Sequence, residues 1–208
     1  MNRSNKMSKV FGYGEDALTL WLLKNHPYEI LKRFKDKTEP CDCLVFYRPS
    51  FGRSGGSDSA EFGEFDAILA SRNNIYLIES KWDNHRISKQ KELVLRSEQT
   101  ARHEVLQWYL ANWSSRYGND WKAFVMEKGK EIVAGKKIAP TGSLLAKNLQ
   151  QILSRLHEHC PSCTNKDHIR NVLLFFHSGK SNPPQKTSES FNLISVIYED
   201  NCNYVKLA

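Results

Sequence analysis

Two apolar segments separated by only four residues constrain the fold of this chain more than any other feature of its sequence. Residues 64–70 and 75–82 both have the composition of strands, and residues 71–74 between them are rich in turn-forming side chains. This pattern predicts an antiparallel hairpin. Because the second segment is apolar on both faces at residues 76–78, we expect it to be a central, buried strand.

The length of the turn sets which residues of the hairpin face each other. A four-residue loop pairs Ala70 with Ile75, whereas a tighter turn centred on residues 73–74 pairs Arg72 with Ile75. Directly paired residues point the same way, and residues two apart share a face. Either register therefore places the same three charged side chains on one face: Asp66, Glu79 and Lys81.

The two registers differ in the partner of Asp66, which lies opposite Glu79 in the first and opposite Lys81 in the second. Two carboxylates whose Cβ atoms lie roughly 4.5–5.5 Å apart can share a divalent cation. The alternative is a cross-strand salt bridge on an exposed edge. Since buried charges are costly unless they serve a metal or a reaction, a central strand favours the cation site.

Helical and strand patterns alternate around this hairpin. Helices are predicted over 14–25, over 87–113 and from Thr141 or Ser143 to about His157. Further strands are predicted over 44–48, 123–126, 171–177 and 192–198. This order predicts a single α/β domain over 1–208, with a mixed central β-sheet flanked by helices. The site lies in a core of about 12–110, and 114–208 adds further α/β elements.

An acid, a spacer and Glu-x-Lys at the end of an apolar strand resemble the active site of the PD-(D/E)XK nucleases, which share the restriction-endonuclease-like fold. The Pro-Asp of that family stands here as Phe65-Asp66. The resemblance implies a metal-dependent DNA endonuclease. In such an enzyme Asp66, Glu79 and the backbone carbonyl of Ser80 would bind Mg²⁺ or Mn²⁺, and Lys81 would help to activate the attacking water.

The flanking helices extend the resemblance. Members of the family often carry a glutamate on the first helix, and Glu15 matches that position. Residues 97–103 are similar to the Asn-Pro-x-x-Gln-x-x-x-His stretch of nuclease-related (NERD) and Mrr-type domains, with Gln99 and His103 matching. The resemblance implies catalytic roles for Glu15 and Gln99. The alternatives are an acid favoured by the helix dipole and a polar surface residue, respectively.

The net charge of +7 favours an anionic partner, and DNA is the first candidate. The candidate phosphate contacts are Arg53, Arg86, Lys89, Arg96 and Arg102. Charged helix faces are also simply solvated, and a second basic surface at 128–137 stays open. The alternative function is a non-cleaving nucleic-acid-binding or assembly module with the same fold. Since one such active site cuts one strand, the interpretation is compatible with a homodimer.

The sequence predicts a cytoplasmic protein without a membrane segment. No run approaches 18 apolar residues, and no charge-free hydrophobic region follows basic residues near the start, as a signal peptide requires. Five cysteines are an odd count for a disulfide framework. Two cysteine pairs could close a structural zinc site, but we favour free buried thiols. The pairs are Cys41 with Cys43 and Cys160 with Cys163.

Overall fold

The computed structural model describes residues 9–52, 59–83, 91–117, 120–179, 182–187, 190–198 and 204–207. Its helices are α1 (Gly14–Asn25), α2 (Tyr28–Arg33), α3 (Ser97–Asn112), α4 (Trp121–Lys128) and α5 (Leu144–His159). The strands up to α3 are β1 (Phe11–Tyr13), β2 (Leu44–Tyr47), β3 (Ser50–Phe51), β4 (Gly63–Glu64), β5 (Ala67–Ala70), β6 (Ile75–Trp82) and β7 (Glu92–Leu93). Those after α3 are β8 (Ile132–Val133), β9 (Lys136–Lys137), β10 (Ile169–His177), β11 (Lys186–Thr187), β12 (Asn192–Ile197) and β13 (Tyr204–Lys206).

A mixed sheet of five strands forms the centre of the fold, in the order β12-β10-β6-β5-β2. β12, β10 and β6 are parallel, whereas β5 runs antiparallel to both β6 and β2. The predicted α/β class with a mixed sheet is confirmed. β6 lies in the middle with a partner on each side, so its backbone hydrogen bonds are satisfied along most of its length.

Helices cover both faces of this sheet. Alternate side chains of β6 point to opposite sides, so Ile75 and Leu77 pack with α3, α4 and α5. Tyr76 and Ile78 pack with α1 and α2 on the other side. This arrangement explains why β6 is apolar on both faces. No helix in the described ranges is long and apolar enough to cross a membrane.

The hairpin of β5 and β6 adopts the first of the two predicted registers. Ala70 pairs with Ile75 and Ala67 with Ile78, and residues 71–74 form the turn. The register from the tighter turn is therefore wrong. The predicted first strand is also shorter than expected. It is interrupted before Ala67, because Gly63 and Glu64 pair with β3 whereas Ala67–Ala70 pair with β2 and β6.

The Asp36 carboxylate fixes the turn of this hairpin. It accepts hydrogen bonds from Ser71 Oγ (2.6 Å), Asn74 Nδ2 (2.8 Å) and Tyr76 Oη (2.8 Å). Burial acts against ionisation of Asp36, but the hydrogen bonds from Ser71 and Asn74 outweigh it and hold the pKa of this carboxyl well below its usual range. One ionised side chain thus bridges the turn and the first residues of β6.

Two predicted elements differ from the structure. α3 begins at Ser97 rather than 87, because Glu92 and Leu93 pair in parallel with β11. Residues 87–90 of the predicted helix lie outside the described residues. Residues 123–126 belong to α4 and not to a strand. Asp120 caps that helix by accepting from Lys122 N (2.9 Å) and Ala123 N (3.2 Å).

The predicted beginnings of α1 and α5 are confirmed. α1 spans 14–25, as its acidic first turn predicts, and α5 begins after Ser143, whose Oγ accepts from Ala146 N at 3.1 Å. Thr141 is therefore not the cap.

The expectation of free buried thiols fails at Cys160 and Cys163, which are buried but joined in a disulfide. Cys41 and Cys43 are free, with Cys41 exposed.

We expect Asp36→Asn to lower the free energy of unfolding by about 1–2 kcal/mol at neutral pH, because the amide loses charge-assisted hydrogen bonds at a half-buried position. The folded-state pKa lies below the ordinary value of 3.8, so this contribution is present above pH ~3.8 and disappears as pH falls through the folded pKa. Urea unfolding at several pH values measures both effects.

Asp42→Asn is the matched control, since that carboxylate is exposed and lies 3.9 Å from Arg72 in a surface ion pair. A loss of stability in Asp36→Asn no greater than that in Asp42→Asn would contradict the role of Asp36 in the turn.

Candidate active site

The predicted charged residues meet at the carboxyl end of β6. Because β5 and β6 are antiparallel, the start of β5 lies beside the end of β6, where Glu79, Ser80 and Lys81 follow the apolar part of the strand. Asp66 precedes β5 directly, and its Oδ2 accepts a hydrogen bond from the backbone N–H of Ser80 (2.7 Å). The structure therefore brings Asp66 to the Glu79–Lys81 end of the sheet, as predicted.

Glu79 is buried by α3, with only 3% of its surface exposed. Its Oε1 accepts a hydrogen bond from Gln99 Nε2. Gln99 Oε1 in turn accepts from the N–H of Arg96 (3.1 Å), the residue that caps α3, which fixes which end of the amide faces Glu79. Gln99 is thus buried and bound to the site, so the interpretation as a polar surface residue is wrong.

The second oxygen of Glu79 faces a buried histidine. Glu79 Oε2 lies 3.8 Å from His103 Nε2, and neither atom has a hydrogen-bond partner among the described residues. Asn171 Oδ1 lies 2.9 Å from His103 Nδ1 and also accepts from Gln107 Nε2 (3.0 Å). Since that oxygen is an acceptor, His103 Nδ1 donates to it, and the other ring nitrogen, Nε2, faces Glu79.

The ammonium of Lys81 lies among oxygens from three parts of the chain. Nζ donates to the Ser80 carbonyl (2.6 Å) and lies 3.6 Å from both Glu79 Oε1 and Glu15 Oε1. Glu15 reaches the site from α1, and its Oε2 accepts from Trp82 N (3.0 Å). The structure therefore brings the predicted Glu15 into the cluster. It also shows that the Ser80 carbonyl, predicted as a metal ligand, is hydrogen-bonded to Lys81.

The environments of the two central acids push their pKa values apart. Burial, and then the negative charge of Glu79, raises the pKa of Asp66 to about 7, although the Ser80 N–H opposes this shift. Burial acts to raise the pKa of Glu79 as well. Nearby His103, Arg102 and Lys81 outweigh that effect and hold the pKa of Glu79 below its usual value. Asp66 is therefore the carboxyl whose ionisation gains most from an added cation.

Burial also acts on the carboxyl contributed by α1. The side chain of Glu15 is 35% exposed, yet burial raises its pKa despite the nearby charge of Lys81. The cluster thus holds three carboxyls, of which two have raised pKa values. A nearby cation would favour the ionised forms of these buried carboxyls.

The donors fit a hard divalent cation. Within the described ranges, no group of three or more His, Cys, Asp or Glu side chains could hold a metal by itself. Mg²⁺ keeps several waters and is usually held by one or two carboxylates rather than by three or more protein side chains. The buried Glu79 Oε2, which has no hydrogen-bond partner in the described part of the chain, is a carboxylate oxygen available to such an ion.

The predicted phosphate contacts have different positions. Arg96 is exposed at the start of α3. The Arg102 side chain is only 14% exposed, and its Nη2 lies 4.0 Å from Glu79 Oε1. Arg102 also lines a cleft of about 470 Å³ between α3, the β3–β4 hairpin and the β8–β9 hairpin. Arg53, Arg86 and Lys89 lie outside the described residues.

Sequence reasoning matched His103 to a family pattern but did not place it at the site, and it missed Asn171. His103 follows Gln99 by four residues, so the two share one face of α3, and this spacing could have identified the histidine. Asn171 is a buried polar residue near the start of β10. Its partnership with His103 depends on the packing of α3 against the sheet, which no local pattern reveals.

Comparison with known proteins leaves the chain without a family assignment. No protein-family model matches it, and no match was found among curated proteins or solved structures. The functional interpretation therefore depends on the geometry of the Asp66, Glu79 and Lys81 cluster.

Proposed function

We propose that the protein is a nuclease that hydrolyses phosphodiester bonds of DNA with the help of Mg²⁺ or Mn²⁺. One observation carries the proposal: Asp66, Glu79 and Lys81 meet at the end of a buried central strand, and Glu79 is 3% exposed. A charged cluster in such a position is costly to keep unless it binds a ligand or performs a reaction.

We also propose that the fold is restriction-endonuclease-like. The mixed sheet with helices on both faces supports this, as does a site formed where the antiparallel pair β5–β6 adjoins parallel strands. β10 and β12 complete the sheet, so the elements after 114 belong to the framework that supports β6.

Each residue of the cluster would have a separate role in the hydrolysis. A divalent cation held by Asp66, Glu79 and the Ser80 carbonyl would supply Lewis-acid catalysis. The ammonium of Lys81, on the same face as Glu79, is placed to orient the attacking water and to neutralise charge that develops on the phosphate oxygens. Arg102 lines the adjoining cleft and offers a further positive charge to the substrate.

The helix α3 acts as the support of the acidic centre. Gln99 holds Glu79 Oε1 and takes its own orientation from the start of the helix. His103, fully buried and bonded to Asn171, places its Nε2 3.8 Å from Glu79 Oε2. Both side chains therefore position Glu79 before substrate arrives, which lowers the reorganisation that the reaction requires.

We expect Asp66→Asn and Glu79→Gln to abolish divalent-dependent cleavage, because each removes an anionic oxygen needed by the cation. Lys81→Ala should lower the rate by roughly 10²-fold or more, in the range found for general acid–base and electrostatic groups. The measurement is cleavage of plasmid, linear and branched DNA with Mg²⁺, Mn²⁺ or EDTA.

Glu158→Gln on α5 is the matched control for the carboxylate variants, since that side chain is exposed and far along the chain from the cluster. Full activity in Asp66→Asn would overturn the assignment. Tight DNA binding by the wild-type chain without any cleavage would favour the non-cleaving module instead.

A second prediction concerns stability in the absence of divalent cations. The pKa of Asp66 is about 7 in the fold against 3.8 ordinarily, so the folded state binds more protons and loses stability as pH rises between these values. Asp66→Asn removes this penalty. We therefore expect the variant to gain thermal stability over the wild type at pH ~8 and to gain much less at pH ~4.

Thermal denaturation with EDTA measures this difference, and the same assay with Mg²⁺ tests the cation. Mg²⁺ should raise the melting temperature of the wild type and raise that of Asp66→Asn less, because binding to the folded state alone stabilises it. A difference in melting temperature between Asp66→Asn and the wild type that does not change with pH would contradict the raised pKa of Asp66.

A further inference from the structure

The two-stranded ribbon of β1 and β13 has an unusual outer face. Its register pairs Phe11 with Lys206 and Tyr13 with Tyr204, so these four side chains share one face. On the other face Val205 is 7% exposed and packs into the core with α1. The outer face is open to solvent, with Phe11 58%, Tyr13 55% and Tyr204 55% exposed.

Aromatic side chains occupy positions where a solvated ribbon would carry polar ones. The rings of Tyr13 and Tyr204 lie 5.3 Å apart between centroids and are tilted by 47°. Lys206 is exposed on the same face, and the exposed Lys9 precedes β1. A group of exposed aromatic rings flanked by lysines marks a binding surface rather than a chance exposure.

This aromatic face adjoins the proposed active site. Tyr13 packs edge-on against Trp82, with ring centroids 5.3 Å apart. Trp82 follows Lys81 in β6, and its backbone N–H donates to Glu15 Oε2. Glu15 Oε1 lies 3.6 Å from Lys81 Nζ. Tyr13 is therefore linked to the Glu79–Lys81 cluster through Trp82 and Glu15.

We propose that Tyr13 and Tyr204 form a stacking platform for unpaired bases, with Lys206 beside it for the phosphate backbone, so that the substrate class is single-stranded or partly unpaired DNA. The inference rests on the proposed nuclease function. Every base offers a π-face to an exposed ring, whereas the bases of an intact duplex are already stacked on each other. Phe11 lies on the same face and extends the platform along β1.

The charges on the surface favour a polyanion over a second copy of the chain. The protein carries a net charge of +7, so two copies repel each other and nucleic acid is attracted. A self-complementary contact across this face would also bring Lys206 of one copy towards the lysines of the other.

The test measures binding by the full chain with EDTA, so that no cleavage occurs. The ligands are three fluorescent probes of about 20 nucleotides: a single-stranded oligo-dT, a duplex, and an abasic strand that keeps the phosphates and lacks the bases. Each ring that stacks a base should contribute roughly fivefold or more to affinity. Tyr13→Ala combined with Tyr204→Ala should thus weaken oligo-dT binding by more than about tenfold.

The same double variant should bind the duplex and the abasic strand as the wild type does. Tyr13→Phe combined with Tyr204→Phe keeps both rings and should retain oligo-dT affinity. Met126→Ala, at an 80% exposed position on α4, is the control for removal of an exposed apolar side chain. Fluorescence anisotropy gives the affinities, and sedimentation gives the oligomeric state.

Unchanged oligo-dT affinity in the double alanine variant would overturn the platform, as would an equal loss with the abasic strand. A change in oligomeric state without a change in oligo-dT affinity would assign the face to a second copy and also overturn it. In each of these cases, Asp66-dependent cleavage by the wild type would still support the nuclease. Loss of oligo-dT binding in a chain that cleaves nothing would support the platform and refute the nuclease.

Discussion

The register of the β5–β6 hairpin is the constraint on which the rest of the structure depends. Asp36 fixes the turn at 71–74 through three short hydrogen bonds, and the pairing that starts there brings Asp66 to the end of β6 beside Glu79. A slip of one residue would turn Asp66 to the opposite face of the sheet and would also expose the apolar side chains of β5. Core packing and the site therefore require the same register.

The helix α3 joins the hairpin to the electrostatics of the site. It buries Glu79, whose negative charge would be costly there without compensation, and it supplies Gln99 and Arg102 as partners. Lys81 completes the compensation from the strand itself. Burial, and then the negative charge of Glu79, raises the pKa of Asp66 to about 7. The fold thus tolerates an acidic centre that is incompletely neutralised, as sites that bind cations commonly are.

Local periodicity was sufficient to predict the hairpin and to limit the cap of α5 to Thr141 or Ser143, because each depends on spacing within a few residues. The predicted start of α3 at residue 87 was wrong, because the pairing of β7 with the distant β11 overrides the helical pattern before Ser97. An apolar run at 123–126 fits a strand or a helix equally, and the N-cap at Asp120 favours the helix that the structure shows. The contact of Glu79 with α3 is non-local, so spacing could not reveal it.

Location of bound Mn²⁺ by anomalous scattering in crystals of the protein is the most direct measurement of the central claim. The expected result is an anomalous peak in contact with both Asp66 and Glu79 Oε2, the oxygen that has no partner among the described residues. Crystals in saturating Mn²⁺ that show no peak there, with Lys81 Nζ still bonded to the Ser80 carbonyl, would contradict the assignment of this cluster as a divalent-cation site.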